Sequence, residues 1–386
     1  QTLTLGDAEY FEAPGVNWLV FSNINEGLFA DAKISGVELI QQGVRTATNG
    51  DVRLSATPGQ WDPAGTFVSR RVDKGAGVIE VAMKYADFAY TVRAQRRGET
   101  VVLSVLLDRP LPAAQVGKAG LNLEFVPSAY FHHSYTADGK AALFPRYPAD
   151  AMTLTGTRNA ASGRSDGPGA EPTPFASARQ FLLAPEDPAR RVAITTREGT
   201  LSLFDGRNQA QNGWFVVRQL LPAGRTGQVL EWTLAANSVP GWLRPPVIGH
   251  SQIGYRPGGT KIATVELDRD DRRTLQPRLL KLDGNGTFAP VAGGDARDWG
   301  RYLRYRYVRF DFSRVTTPGT YAIEYGGTRT APFPIDKGVL TNSWNLTNDV
   351  YFPIAMDHMA VNEAYRAWHG DPHRDDARQA PVNHEH

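Results

Sequence analysis

The chain has 386 residues, with 42 Lys plus Arg against 40 Asp plus Glu and a formal net charge of +2. At about 100 to 200 residues per domain this length predicts two or three domains. The balanced charge supplies no field for gathering a polyanion, so nucleic acid is not an expected partner. The absence of cysteine removes disulfides, thiolate nucleophiles and Cys-based zinc or iron–sulfur centres.

No apolar run is long enough for a membrane span. The sequence opens at Gln1 without a basic-then-apolar leader, which suggests a processed N-terminus and an exported protein, periplasmic or extracellular. Gly 38, Pro 26 and 10% aromatic residues, with β-branched alternation throughout, place the chain in the mainly β class.

Residues 1–240 read as short strands between turn signals, the rhythm of one large all-β domain. Phe88, Tyr90, Val92 and Ala94 alternate with Ala89, Thr91 and Arg93, which predicts a half-buried strand. Residues 101–107 are nearly all apolar and suit a strand covered on both faces. Leu121, Leu123 and Phe125 alternate, as do Leu230, Trp232 and Leu234. Segment 155–174, rich in Gly, Ser, Pro, Asn and Arg, is expected to be the least ordered part.

Pro240, Gly241, Pro245 and Pro246 mark a stiff linker over 237–246. A second β unit follows at 247–336. Ala263, Val265 and Leu267, then Val308 and Phe310 with Phe312, then Tyr321, Ile323 and Tyr325 alternate between Gly-rich turns. About 90 residues of this rhythm suit an immunoglobulin-like sandwich. Beyond Pro334, Val350, Ile354, His358, Val361, Tyr365 and Trp368 recur at three or four residues and predict an amphipathic helix from about Asn348. That helix and a polar tail form a third segment, 340–386, expected to be the start of a further domain.

Candidate functional residues are few. His132 and His133 lie among Tyr130, Phe131 and Tyr135, where aromatic faces could stack on sugar rings and His could supply acid–base chemistry. One of the two facing the core is the alternative. Trp61 and Trp214 are candidate exposed aromatics or core anchors. His373, His384 and His386, among Asp371, Asp375, Asp376 and Glu385, could ligate a metal or simply form a polar surface segment. Asp295 and Asp298 read as turn residues in a loop, without a general-acid partner. No cofactor is expected, and no phosphate-binding Gly loop, His-Glu-x-x-His or Gly-x-Ser-x-Gly occurs.

Ser251-Gln-Ile-Gly-Tyr-Arg-Pro-Gly-Gly-Thr-Lys-Ile-Ala-Thr-Val resembles the opening strand of the immunoglobulin-like module that precedes the catalytic domain in glycoside hydrolases of family 9. Phe312-Ser-Arg-Val-Thr-Thr-Pro-Gly-Thr-Tyr-Ala-Ile-Glu and Ala331-Pro-Phe-Pro-Ile resemble its closing strands, in the same order and at the same separation. The helix after Asn348 resembles the first helix of that family's (α/α)6 barrel, and His373-Arg-Asp-Asp-Ala resembles its "HxDDA". Pro372 stands where many members carry Cys, so a zinc site is not carried over. In length and strand density, residues 1–240 resemble the β-supersandwich of galactose mutarotase-like domains.

The resemblance implies the N-terminal part of an inverting glycoside hydrolase acting on a β-linked glucan or related oligosaccharide. Inversion needs two carboxylates about 6.5 to 9.5 Å apart. The family's Asp-Ala-Gly-Asp segment does not occur here, so the catalytic carboxylates are expected beyond His386, and the 386 residues alone are expected to be inactive. The remainder of its own catalytic domain is then a partner. The alternative is a non-catalytic carbohydrate-binding or surface β-protein.

Overall fold

The alternation at Ala89–Arg97 produces a strand whose Tyr90, Val92 and Ala94 are buried while Thr91 and Arg93 are only partly covered. The apolar run beside it forms Thr100–Leu107, paired on one side with Ala89–Arg97 and on the other with Gly227–Ala236. Its central place explains why even Ser104 is only 3% exposed.

The computed structural model describes residues 1–22, 36–55, 58, 65–147, 172–207, 213–273, 275–303, 305–345, 348, 361–363 and 366–368. It divides into two compact units, Gln1–Arg244 and Pro245–His386. Of the segment expected to be least ordered, 155–171 lies outside the described residues. Among those residues no helix is long and apolar enough to cross a membrane.

The first unit is built of two antiparallel nine-stranded sheets. One runs from the edge through Val16–Val20, Val37–Gln41, Val44–Arg53 and Gly120–Phe125 to Phe215–Leu220, Leu201–Asp205 and Pro174–Ala178. The other places Thr100–Leu107 between Gly227–Ala236 and Ala89–Arg97 and ends at Thr66–Asp73. Leu121, Leu123 and Phe125 from the first sheet and Val92, Leu103 and Trp232 from the second enter one apolar core, which defines a β-sandwich. Trp18 and Trp232 are fully buried in it. Each such aromatic contributes about 4 to 6 kcal/mol at about 25 cal/mol per Å2 for 150 to 250 Å2 buried. The Trp232 indole N–H donates to Gln219 Oε1 at 2.7 Å, so its burial leaves no donor unmet.

The second unit has a sheet in the order Val247–Gly249, Ile262–Asp268, Tyr305–Asp311, Asp295–Tyr302. A further sheet contains Phe288–Val291, Arg278–Leu282, Gly319–Tyr325 and Thr328–Arg329, with Phe333–Ile335 also paired to Gly319–Tyr325. Ala263, Phe310 and Phe312 meet Tyr321, Ile323 and Phe333 in its core.

The opening and closing motifs of this unit are joined physically. The Tyr255 N–H donates to Pro334 O at 3.0 Å and the Asp336 N–H to Tyr255 O at 3.0 Å. The Tyr255 ring stands edge-on to Phe312 and Phe333 at 5.1 and 5.5 Å. Lys261 is wholly buried, and its ammonium donates to Pro257 O at 2.7 Å and Gly259 O at 2.8 Å, holding the Pro-Gly-Gly turn from below. The spacing from Tyr255 to Lys261 is therefore the geometry of one clamped turn.

Two expectations are corrected. Asp295 and Asp298 lie within the strand Asp295–Tyr302, paired with Tyr305–Asp311, and not in a loop. Where the sequence predicts helix to Trp368, Val361–Glu363 and Arg366–Trp368 are short strands paired antiparallel. The same Val, Tyr and Trp spacing that marks a helical stripe also supplies β-favouring residues, and a helix gains its stability from burying that stripe against a partner. The Asn348 N–H does donate to Trp344 O at 3.1 Å, a single helical bond at the expected start. The rest of that stretch lies outside the described residues.

Candidate functional site

The two histidines stand at the end of a short helix, Pro127–Tyr130, which begins on a proline suited to a first helical position. The Phe131 N–H donates to Pro127 O at 2.7 Å and the His133 N–H to Tyr130 O at 3.0 Å, closing the turn. His132 takes φ +70° and is exposed, its ring 3.9 Å from that of Phe131. His133 turns the other way. Its Nδ1 lies 3.0 Å from Glu186 Oε1 and its Nε2 3.7 Å from Asp187 Oδ2.

Glu186 also receives the Ser134 N–H at 2.8 Å and the Ser134 hydroxyl at 2.5 Å. Partial burial would raise this carboxyl, but the Ser134 hydrogen bonds, aided by His133, hold it at about 2. Glu186 is thus ionised at any ordinary pH and has no proton to give. His133 and Glu186 tie Ser134–Ala137 to the turn after Gln180–Leu183 and form a brace. Tyr130 is a core residue: its hydroxyl donates to Arg190 O at 3.0 Å, and burial pushes its pKa above the usual tyrosine range.

Trp214 is half-buried, and its carbonyl accepts the Gly206 N–H at 2.8 Å. That turn positions Arg207, which the sequence reading did not single out. The Arg207 guanidinium holds Asp205 through both carboxylate oxygens at 2.9 and 2.7 Å and donates to Pro145 O at 2.7 Å. It lies over the Phe215 and Phe131 rings at 4.7 and 5.6 Å. The fold therefore brings the Phe131–His132 pair and the Trp214 turn to the same arginine. In the sequence the pair is only Asp205-Gly206-Arg207, a spacing too common to be a signal. Trp61, His373, His384 and His386 lie outside the described residues. Among the described residues no His and carboxylate group could hold a metal ion.

A cleft of about 560 Å3 opens on the same unit over Ser202, Phe204, Arg218 and Leu220, with Glu198 and Arg225 on its wall. Arg218 is almost fully buried. It donates to Asn122 Oδ1 at 3.0 Å and to the carbonyls of Ser55 and Lys118, tying its strand to Gly120–Phe125 and to the segments just outside the neighbouring strands. The Glu198 carboxylate accepts from Arg225 at 2.8 Å, and that hydrogen bond holds its pKa below the usual range. Among the described residues Glu198 is the one carboxylate in the lining, and they supply no acid and base pair of the kind that glycoside hydrolysis requires.

In the second unit the two carboxylates singled out in the sequence, Asp295 and Asp298, are committed to structure. Asp298 Oδ2 accepts from Arg306 at 2.7 Å and its Oδ1 from the Gly300 N–H at 3.0 Å, and the arginine lowers its pKa. Asp295 pairs with Arg314 at 2.8 Å.

The second unit is thus a β-sandwich of immunoglobulin-like size, two antiparallel sheets around one core. Residues 245–330 match the family model described as a cellulase N-terminal ig-like domain. This part of the chain is therefore similar to the N-terminal immunoglobulin-like domain of cellulases, as its opening and closing motifs suggested.

Two solved structures are similar over part of the chain. One is a metagenome-derived glycoside hydrolase family 9 endoglucanase, 20% identical over 33% of this chain and 24% of that one, with a TM-score of 0.25. The other is a family 9 glycoside hydrolase from Bacteroides ovatus, 24% identical over 31% and 20% of the two chains, with a TM-score of 0.23. The matched part spans about a quarter or less of those proteins' length. Among curated proteins no match was found.

Proposed function

We propose that the chain is the N-terminal part of an exported, inverting glycoside hydrolase that acts on a β-linked glucan or related oligosaccharide. Residues 1–240 are a β-supersandwich domain, 247–336 the immunoglobulin-like module, and 340–386 the lead into the catalytic domain, whose carboxylates follow His386. The observation that carries this reading is the match of residues 245–330 to a cellulase-type N-terminal module, supported by the physical joining of its opening and closing motifs at Tyr255 and Pro334. The ionised, hydrogen-bonded state of Glu186, Glu198 and Asp298 accords with chemistry supplied elsewhere.

Reducing-sugar release from soluble β-glucan tests the reading. The product of the gene read through and past codon 386 should release sugar, and residues 1–386 alone should not. Inactivity of the longer product on β-glucans and chito-oligosaccharides would refute it. A second reading, a non-catalytic carbohydrate-binding protein, is favoured by the cleft over Ser202 and Phe204. It is expected to bind oligosaccharides without ever cleaving them.

A further inference from the structure

We propose that the outer face of the four-stranded sheet in the second unit is a binding platform for a neutral β-glucan chain, whose sugar rings lie on Trp299 and Tyr302. The glucan identity of the ligand rests on the functional reading above, but the platform itself rests on side-chain placement.

Strand alternation sends Val308 and Phe310 into the core and Tyr305, Tyr307 and Arg309 to the opposite face. The register sets Tyr305 across from Tyr302 and Asp268, and Tyr307 across from Gly300 and Glu266. Arg309 lies across from Arg297 and Thr264. Aromatic side chains thus gather at one end of the face, with carboxylates and arginines beside them.

A β-bulge aims the main ring. The pairing jumps from Asp298 opposite Val308 to Gly300 opposite Tyr307, which leaves Trp299 as the extra residue. Gly300, at φ +110°, absorbs the kink, and a side chain there would meet nothing within 4 Å. Trp299 is set edge-on to Tyr307 at 5.8 Å and 88°, and Tyr307 edge-on to Tyr305 at 6.5 Å. Trp299 remains 56% exposed and Tyr302 59%. Neither belongs to the apolar clusters that hold this unit together, so the fold does not account for them.

The ligand class follows from the chemistry. The C–H faces of a pyranose stack on aromatic rings, and its hydroxyls take hydrogen bonds from groups at the rim. Arg297 and Arg309 alternate with Glu266, Asp268, Asp295 and Asp311 across the face, so there is no single-sign field to select a charged polymer. The charged groups beside the rings also fit poorly with a protein partner, because protein interface cores exclude charge.

The test is native affinity electrophoresis of residues 1–386 in gels containing hydroxyethylcellulose, with carboxymethylcellulose as the anionic comparison. The chain should be retarded by the neutral polymer, and Trp299→Ala and Tyr302→Ala should each weaken retardation about tenfold or more. Because both side chains are largely exposed, thermal unfolding should be unchanged. Tyr147→Ala, which removes a 65% exposed ring from the first unit, should leave retardation intact. Absence of retardation, full retardation of Trp299→Ala, loss in Tyr147→Ala, or preference for the anionic polymer would each overturn the proposal. Hydrolysis by the longer gene product without retardation would sink the platform and leave the functional reading standing. Retardation without hydrolysis would do the reverse.

Discussion

Gly254 lies directly against Pro334: a Cβ at residue 254 would fall 2.2 Å from the Pro334 carbonyl oxygen. Gly254 also takes φ +105°, a region that other residues avoid. Gly254→Ala is therefore expected to force the opening motif off the closing one and destabilise the unit by about 2 to 4 kcal/mol. Denaturant unfolding measures it, and a loss within about 0.5 kcal/mol of zero would contradict the close approach.

Lys261 offers a second test of the same clamp. Burial lowers its pKa, yet its ammonium answers the carbonyls of Pro257 and Gly259. Lys261→Met keeps much of the volume and strands those acceptors, an expected cost of about 1 to 3 kcal/mol. Faster amide exchange confined to residues near 256–261 and 312 should accompany it, since the Phe312 N–H donates to Lys261 O.

Asp51 predicts an inverted pH dependence. Burial, outweighing Arg53 and the hydrogen bonds from Val52 and Tyr90, pushes its carboxyl up to about 6, whereas an unfolded aspartate titrates at about 3.9. Between those values the folded state binds more protons, so this group's contribution falls as pH rises from about 4 to about 6 and is flat above, by at most about 3 kcal/mol. Asp51→Asn keeps an acceptor for the Tyr90 hydroxyl and the Val52 N–H. Its stability relative to the parent should increase across that pH range, as read by urea unfolding at several pH values. A difference independent of pH would contradict the assignment.

Glu186 should behave in the opposite sense. Its carboxyl is held at about 2 by Ser134 and His133 against partial burial, so its contribution is present above about pH 4.5 and is lost as pH falls toward 2. Glu186→Gln should flatten this acid limb. His133→Ala should lower stability modestly without altering any sugar-directed activity of the first unit, and a change in such activity at unchanged stability would instead mark His133 as an acid–base group.

Strands carried by local alternation are legible in the sequence itself, as at Tyr90, Val92 and Ala94, or at Ala263, Val265 and Leu267. Those patterns depend only on the two-residue period of a strand and on one buried face. The role of His133 was not legible, because its partners Glu186 and Asp187 arrive from more than fifty residues away. Arg207 was missed for a related reason: the Phe131 ring it covers belongs to a distant turn. Trp299 is made prominent by a bulge that exists only in register with Tyr305–Asp311. The apolar spacing from Val361 to Trp368 misled because the residues that satisfy a helical stripe also satisfy two short paired strands.

The stereochemistry of hydrolysis tests the glycosidase reading most directly. The product of the gene read past codon 386, incubated with cellopentaose, can be followed by proton NMR from the first minutes. An inverting enzyme places water opposite the leaving group, so the α-anomer should appear first and then mutarotate. Initial release of the β-anomer, or no cleavage at all, would contradict it.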